Sequence, residues 1–165
     1  MKPGEWMCTI AISAIAISAC GNEGDNSAGG QETSISRQDS IEALREARAD
    51  SVARAEALYD EAAFDSIVWR SDQARFERGE NVWSFSCSDC HGPEGRGNGP
   101  DATRFEYDMP DFELADWEYA GDLSAIRHRV FVGHESEMPT WGLYGLTHRD
   151  VDAVAYYVDQ RFGQR

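Results

Sequence analysis

The chain has 165 residues, 41% of them hydrophobic, and a formal net charge of -15 at pH 7. That length and apolar content suit one modest core with additional segments, under a strongly acidic surface. Such a balance excludes nucleic-acid binding, which needs clustered Lys and Arg, and electrostatic adhesion to an anionic bilayer.

At the N-terminus, one cation, Lys2, precedes an apolar stretch from Met7 to Ala19. That stretch falls short of the roughly 20 residues a membrane span needs and matches the apolar region of a secretory signal. Its end, Ile17-Ser18-Ala19-Cys20, resembles a bacterial lipobox. Residues 1–19 are therefore expected to be a removed signal peptide, with Cys20 as the lipidated mature N-terminus. Several acyl chains on one residue give stable membrane anchoring. Gly21 and Asn22 follow, so a retention Asp for the inner membrane is absent, which favours the outer membrane in a cell that has one. The alternative is an ordinary signal peptide ending near a Cys.

Residues 20–37 are rich in Gly, Asn, Ser, Asp, Glu and Gln and read as a flexible tether. The segment 38–71 reads as a helical arm, with one helix from Gln38 to about Ala63. Its thin apolar face holds Ile41, Leu44, Val52, Leu58 and Tyr59 and is interrupted by Arg48 and Ser51. This is either a partner-binding arm or a solvated helix that packs loosely and spaces the domain from the membrane. The domain proper is expected over 72–165. Helices are predicted over Asp72–Phe85, over Leu123–Val132 with Asp122 as N-cap, and from Thr147 to Phe162. The last opens on a capping box in which Asp150 replaces Glu, and Gly163 ends it. Its apolar residues Val151, Val154, Ala155, Tyr157 and Val158 recur at helical spacing. Convincing strand alternation is lacking, so the fold class is all-α.

The chemistry is carried by Cys87-Ser88-Asp89-Cys90-His91. Two thiols three residues apart at the start of a helix can each add across a vinyl group of one haem. The next residue, His91, then lies beneath the iron as an axial imidazole. A redox dithiol would not need the His and sits in a strand–helix setting. A structural zinc site would need further Cys, or His at finger spacing, and His128 and His134 do not provide it. One covalent haem c is the expected cofactor, and with Cys8 in the leader and Cys20 lipidated no structural disulfide is expected.

From about Gly79 to Phe162 the chain resembles a class I (monohaem) cytochrome c domain. The residues that carry the likeness are Gly79, Trp83, Cys87-x-x-Cys90-His91-Gly92, Gly95, Gly97, Gly99-Pro100, Gly133, Met138-Pro139 and the aromatic-bearing last helix. The resemblance implies that the first and last domain helices cross where Gly79 and Trp83 meet Val154 and Tyr157. It also implies that the Pro100 carbonyl accepts the Nδ1–H of His91, that Pro110-Asp111-Phe112 lines the pocket, and that Trp141 packs at the haem edge. Arg96 and Arg104 are both candidates to neutralise the propionates, or are solvated loop residues.

Met138 is the expected second iron ligand: it stands well downstream, Pro139 stiffens the chain after it, and Gly133 closes the helix before it. Met109, before the similar Pro110, is the competing methionine. His128 and His134 read as surface residues, and His148 as a solvated residue in the first turn of the last helix. With both axial positions filled, no small-molecule substrate binds the iron. The chain is then a single-electron carrier rather than an enzyme, exported and lipid-held at a membrane on the periplasmic or cell-surface side. Its partners are redox proteins. Lys2 is the sole lysine, so a partner would offer a basic patch or dock through apolar contacts. The alternatives are a fixed cytochrome c subunit of a larger respiratory or dehydrogenase complex, and a haem sensor or enzyme with a labile sixth ligand.

Overall fold

The computed structural model describes residues 28–105 and 107–163. The expected signal peptide and Cys20 lie outside the described residues. The chain divides into two units, Met1–Arg37 and Gln38–Arg165, and the second holds the whole motif set. Among the described residues the structure is all-helical: α1 Ala28–Leu58, α2 Ala62–Asp65, α3 Asp72–Val82, α4 Ser88–His91, α5 Leu123–Val132 and α6 His148–Phe162. None of these helices is long and apolar enough to cross a membrane.

The core forms where α3 and α5 pack on α6. Val151, Val154 and Ala155 of α6 are fully buried and Tyr157 and Val158 nearly so, the face its periodicity predicts, and Ala153 is fully buried beside them. Trp83 rests on Tyr157 with ring centroids 6.0 Å apart. Gly79 allows α3 to approach, because a Cβ there would lie 2.2 Å from the Ala153 carbonyl oxygen and 2.6 Å from Tyr157 Cβ. The crossing is therefore at Ala153 and Tyr157, one residue from the expected Val154. Helix ends follow their caps. Asp122 accepts from the Ala125 N–H at 2.9 Å, and Thr147 and Asp150 form the capping box. Ser71 caps α3 by accepting from Ala74 N–H at 3.1 Å.

Three expectations are corrected. First, α1 starts at Ala28 and stops at Leu58, so residues 28–37, expected as tether, are helical and the arm is shorter at its far end. Second, the arm is not loosely packed: Ala55 and Phe64 belong to the buried core, and Gln38–Arg165 forms one compact unit. Asp152 of α6 explains the anchoring of its far end. This 2% exposed carboxylate accepts from Trp69 Nε1 at 2.7 Å, Arg75 Nη2 at 2.6 Å and Arg127 Nη2 at 2.5 Å. Charges this deep are tolerated when paired and hydrogen-bonded, and the geometry they demand specifies how segments meet. Third, the helix predicted over Asp72–Phe85 ends at Val82 and continues as a π-helical turn, Trp83–Cys87.

Candidate haem site

The π turn delivers the motif. Its wider winding, closed by Ser88 N–H on the Trp83 carbonyl, buries both Trp83 and Cys87 while leaving Phe85 86% exposed. Such turns inside helices recur at functional sites. Cys90 and His91 follow on α4, a single turn. The glycine-rich loop then folds back onto that turn. Carbonyls of Asp89, Cys90 and His91 accept from the N–H groups of Asp101 at 2.8 Å, Gly99 at 3.3 Å and Gly97 at 2.9 Å.

A cavity of about 520 Å³ opens above the turn, lined by Cys87, Cys90, His91, Met138 and Trp141 among others. Cavities of about 300–1,000 Å³ house whole small-molecule ligands. The wall behind His91 is aromatic: Phe112 lies 5.0 Å from its ring and Trp83 5.9 Å. Pro110 and Phe112 line the cavity, and the Phe112 N–H is tied to the Gly95 carbonyl at 2.8 Å. The loop from Gly133 to Pro139 also contributes to the wall, through His134, Ser136, Glu137, Met138 and Pro139. Gly133 has φ 75°, and a Cβ there would sit 2.6 Å from the Met138 carbonyl oxygen. His134 N–H closes the loop by donating to that same oxygen at 3.0 Å. Met109 also reaches the cavity wall.

The donor chemistry fits a covalent haem. Burial pushes the Cys87 thiol up to about 12, with the Cys90 charge adding to it. Such a thiol stays neutral at physiological pH, the opposite of an activated redox dithiol. Burial lowers His91 to about 4, so its imidazole is neutral and ready to ligate. Both thiols are free. Among the described residues no three His, Cys, Asp or Glu gather as a zinc site requires. His91 Nδ1 and Trp83 Nε1 are buried without hydrogen-bond partners.

Several expected residues stand elsewhere. Pro100 is exposed and is not in the cavity wall; with His91 Nδ1 unpartnered, its carbonyl does not take the expected bond. Arg96 pairs with Glu113 at 2.9 Å and Arg104 with Asp101 at 3.0 Å, and neither lines the cavity. The cation that does is Arg129, which donates to Tyr119 Oη at 2.6 Å and to the Gly133 carbonyl at 3.3 Å. His148 is not a solvated residue: it packs between Phe64 and Phe131, each 5.3 Å away, with Nε2 buried and unpartnered. His128 bonds Glu56 at 3.0 Å, away from the cavity. His134 is exposed, pairs with Ser136 and stands at the cavity rim.

Residues 74–158 match the family model described as cytochrome c oxidase, cbb3-type, subunit III. Over 94 residues the chain is 29% identical to the cbb3-type cytochrome c oxidase subunit CcoP of Rhodobacter capsulatus, covering 53% of this chain and 30% of that protein. The chain thus spans less than a third of the relative it matches. No solved structure matches it.

Proposed function

The chain belongs to the family of subunit III of cbb3-type cytochrome c oxidase, and on that premise we propose that it is a membrane-tethered monohaem c-type cytochrome that carries single electrons between redox proteins. One observation carries this reading: both motif cysteines, His91 and Met138 line the same cavity. Cys87 and Cys90 would hold the haem by thioethers, and His91 and Met138 would ligate its iron. The haem iron supplies a one-electron couple, whose potential a thioether ligand raises relative to a second histidine.

The chain's own residues do the rest. The aromatic wall of Trp83 and Phe112, with Trp117 stacked behind Phe112 at 4.7 Å, keeps water from the face of His91 and fixes its ring. The closed Gly133–Met138 loop holds the methionine, so little rearrangement accompanies a change of oxidation state. Trp141 and Arg129 line the same cavity, where Trp141 would pack against the cofactor and Arg129 would meet its carboxylates. Purified protein should show one haem per chain, low-spin ferric and ferrous spectra, and a methionine–iron charge-transfer band that Met138→Ala abolishes. Prompt binding of carbon monoxide by the ferrous wild type would instead support the sensor or enzyme reading.

A second reading, a fixed subunit of a larger respiratory complex, is favoured by the family description and by the relative, itself a named oxidase subunit. Stoichiometric co-purification in mild detergent would select it over a free shuttle. In either case Cys20 is the lipid anchor, on the exported side of the membrane. Cys20→Ala should release the protein from membranes, and retention after a high-salt wash would exclude that anchor.

A further inference from the structure

The helix ahead of the cytochrome motifs reaches the methionine loop. Arg48, Val52 and Ala55 fall on one stripe of α1, and Tyr59 follows directly on its last residue, Leu58. Ala55 is fully buried, and Val52 and Tyr59 pack against the core. Tyr59 meets the Phe131 ring of α5 at 5.5 Å. At the other end of the stripe, Arg48 Nη1 donates to Glu137 Oε1 at 3.0 Å.

Glu137 immediately precedes Met138, and it is the one non-glycine residue of positive φ among the described residues, at 82°. A residue with a side chain keeps that conformation only where its surroundings impose it. On the inner side the loop is imposed by Gly133 and by the His134 N–H on the Met138 carbonyl. On the outer side the group that meets Glu137 is Arg48, offered by a helix whose face is already seated in the core.

We propose that Arg48 is a positioning residue for Met138. Its ion pair holds Glu137 in place, and α1 thereby clamps the loop that presents the sixth ligand. This rests on the assignment of Met138 as axial ligand. The two side chains keep 33% and 41% of their exposure, so the clamp is modest. Pairs of this kind shift a local equilibrium by about two- to fivefold.

The test is an imidazole titration of the full-length ferric holoprotein, following the methionine–iron charge-transfer band. Imidazole must displace Met138, so its apparent Kd varies inversely with the fraction of loop that is open. Arg48→Glu and Glu137→Arg should each lower that Kd about two- to fivefold, and the double exchange should return it towards wild type. Arg48→Lys should stay near wild type. So should Arg45→Glu, a change on the same helix whose wild-type partner is the exposed Glu42. Unchanged affinity in both single reversals, or a double exchange no better than the two singles combined, would overturn the clamp while leaving Met138 as ligand. A wild-type protein without the band, binding imidazole no more weakly than Met138→Ala, would instead overturn the ligand assignment.

Discussion

Arg129 shows how a single side chain can be invisible in a sequence and prominent in a site. On α5 the apolar residues Ile126, Val130 and Phe131 mark the buried face, and Arg129 sits on its flank, where a cation ordinarily reads as solvated. Its role depends on Tyr119, ten residues earlier across a turn, and on the carbonyl of Gly133. Arg96 and Arg104 looked equally suitable because a sequence does not reveal that Glu113 and Asp101 already occupy them. The same long-range blindness affects His148, whose aromatic neighbours come from α2 and α5. A cation beside the iron site disfavours the ferric charge, so Arg129→Leu should lower the midpoint potential. With 59 mV per tenfold change for one electron, the drop should be about 20–60 mV. Arg129→Lys keeps the charge and should lose less than half of that. A spectroelectrochemical titration decides it, and an unchanged or raised potential in the Leu variant would remove Arg129 from the cofactor's surroundings.

Helices α5 and α6 were legible because their termini carry local chemistry: an Asp cap before Leu123, a capping box at Thr147, and apolar residues at 3.6-residue spacing. The π turn at Trp83–Cys87 was not, since a shift from four- to five-residue hydrogen bonding leaves no composition signal. The α1 stripe was also misread: Arg48 looked like an interruption of an apolar face, whereas it is the end of that face that meets Glu137. The capping box does more than start α6. Asp150 Oδ2 accepts from Thr147 N–H at 3.1 Å, while Oδ1 accepts from Arg78 Nη2 of α3 at 2.6 Å, one residue from the Gly79 crossing. Burial pushes the Asp150 carboxyl up, but the bonds from Thr147 and Arg78 outweigh it and hold it below its ordinary value of 3.8. A carboxylate depressed in the folded state contributes stability that is complete above its unfolded value and is lost as pH falls through its folded one. Asp150→Asn should therefore cost about 1 kcal/mol or more at pH 7. The gap to wild type should narrow as the pH drops below 3.8. Urea midpoints at neutral and acid pH test the sign, and a gap that widens in acid would refute the linkage.

For the molecule as a whole, the decisive quantity is charge rather than shape. The chain carries -15, and the cavity wall includes Asp89, Asp101, Glu118 and Glu137 against a single arginine, Arg129. Beside them stands Phe85, an 86% exposed ring on the π turn. An electron leaving through this rim passes to whatever docks there, and an acidic rim steers cationic partners inward while repelling anionic ones. The range of that steering is the Debye length, about 30 Å at 0.01 M salt and about 8 Å at 0.15 M. Oxidation of the ferrous protein by a cationic complex of high potential such as tris(phenanthroline)cobalt(III) should therefore slow several-fold between those two concentrations. Oxidation by anionic ferricyanide should accelerate over the same range. Opposite salt responses followed by stopped flow would locate the exit at the acidic rim. Two rates that move together would mean that the surface charge lies too far from the exit to matter. In that case the exposed Phe85 and its apolar surroundings would have to select the partner without electrostatic help.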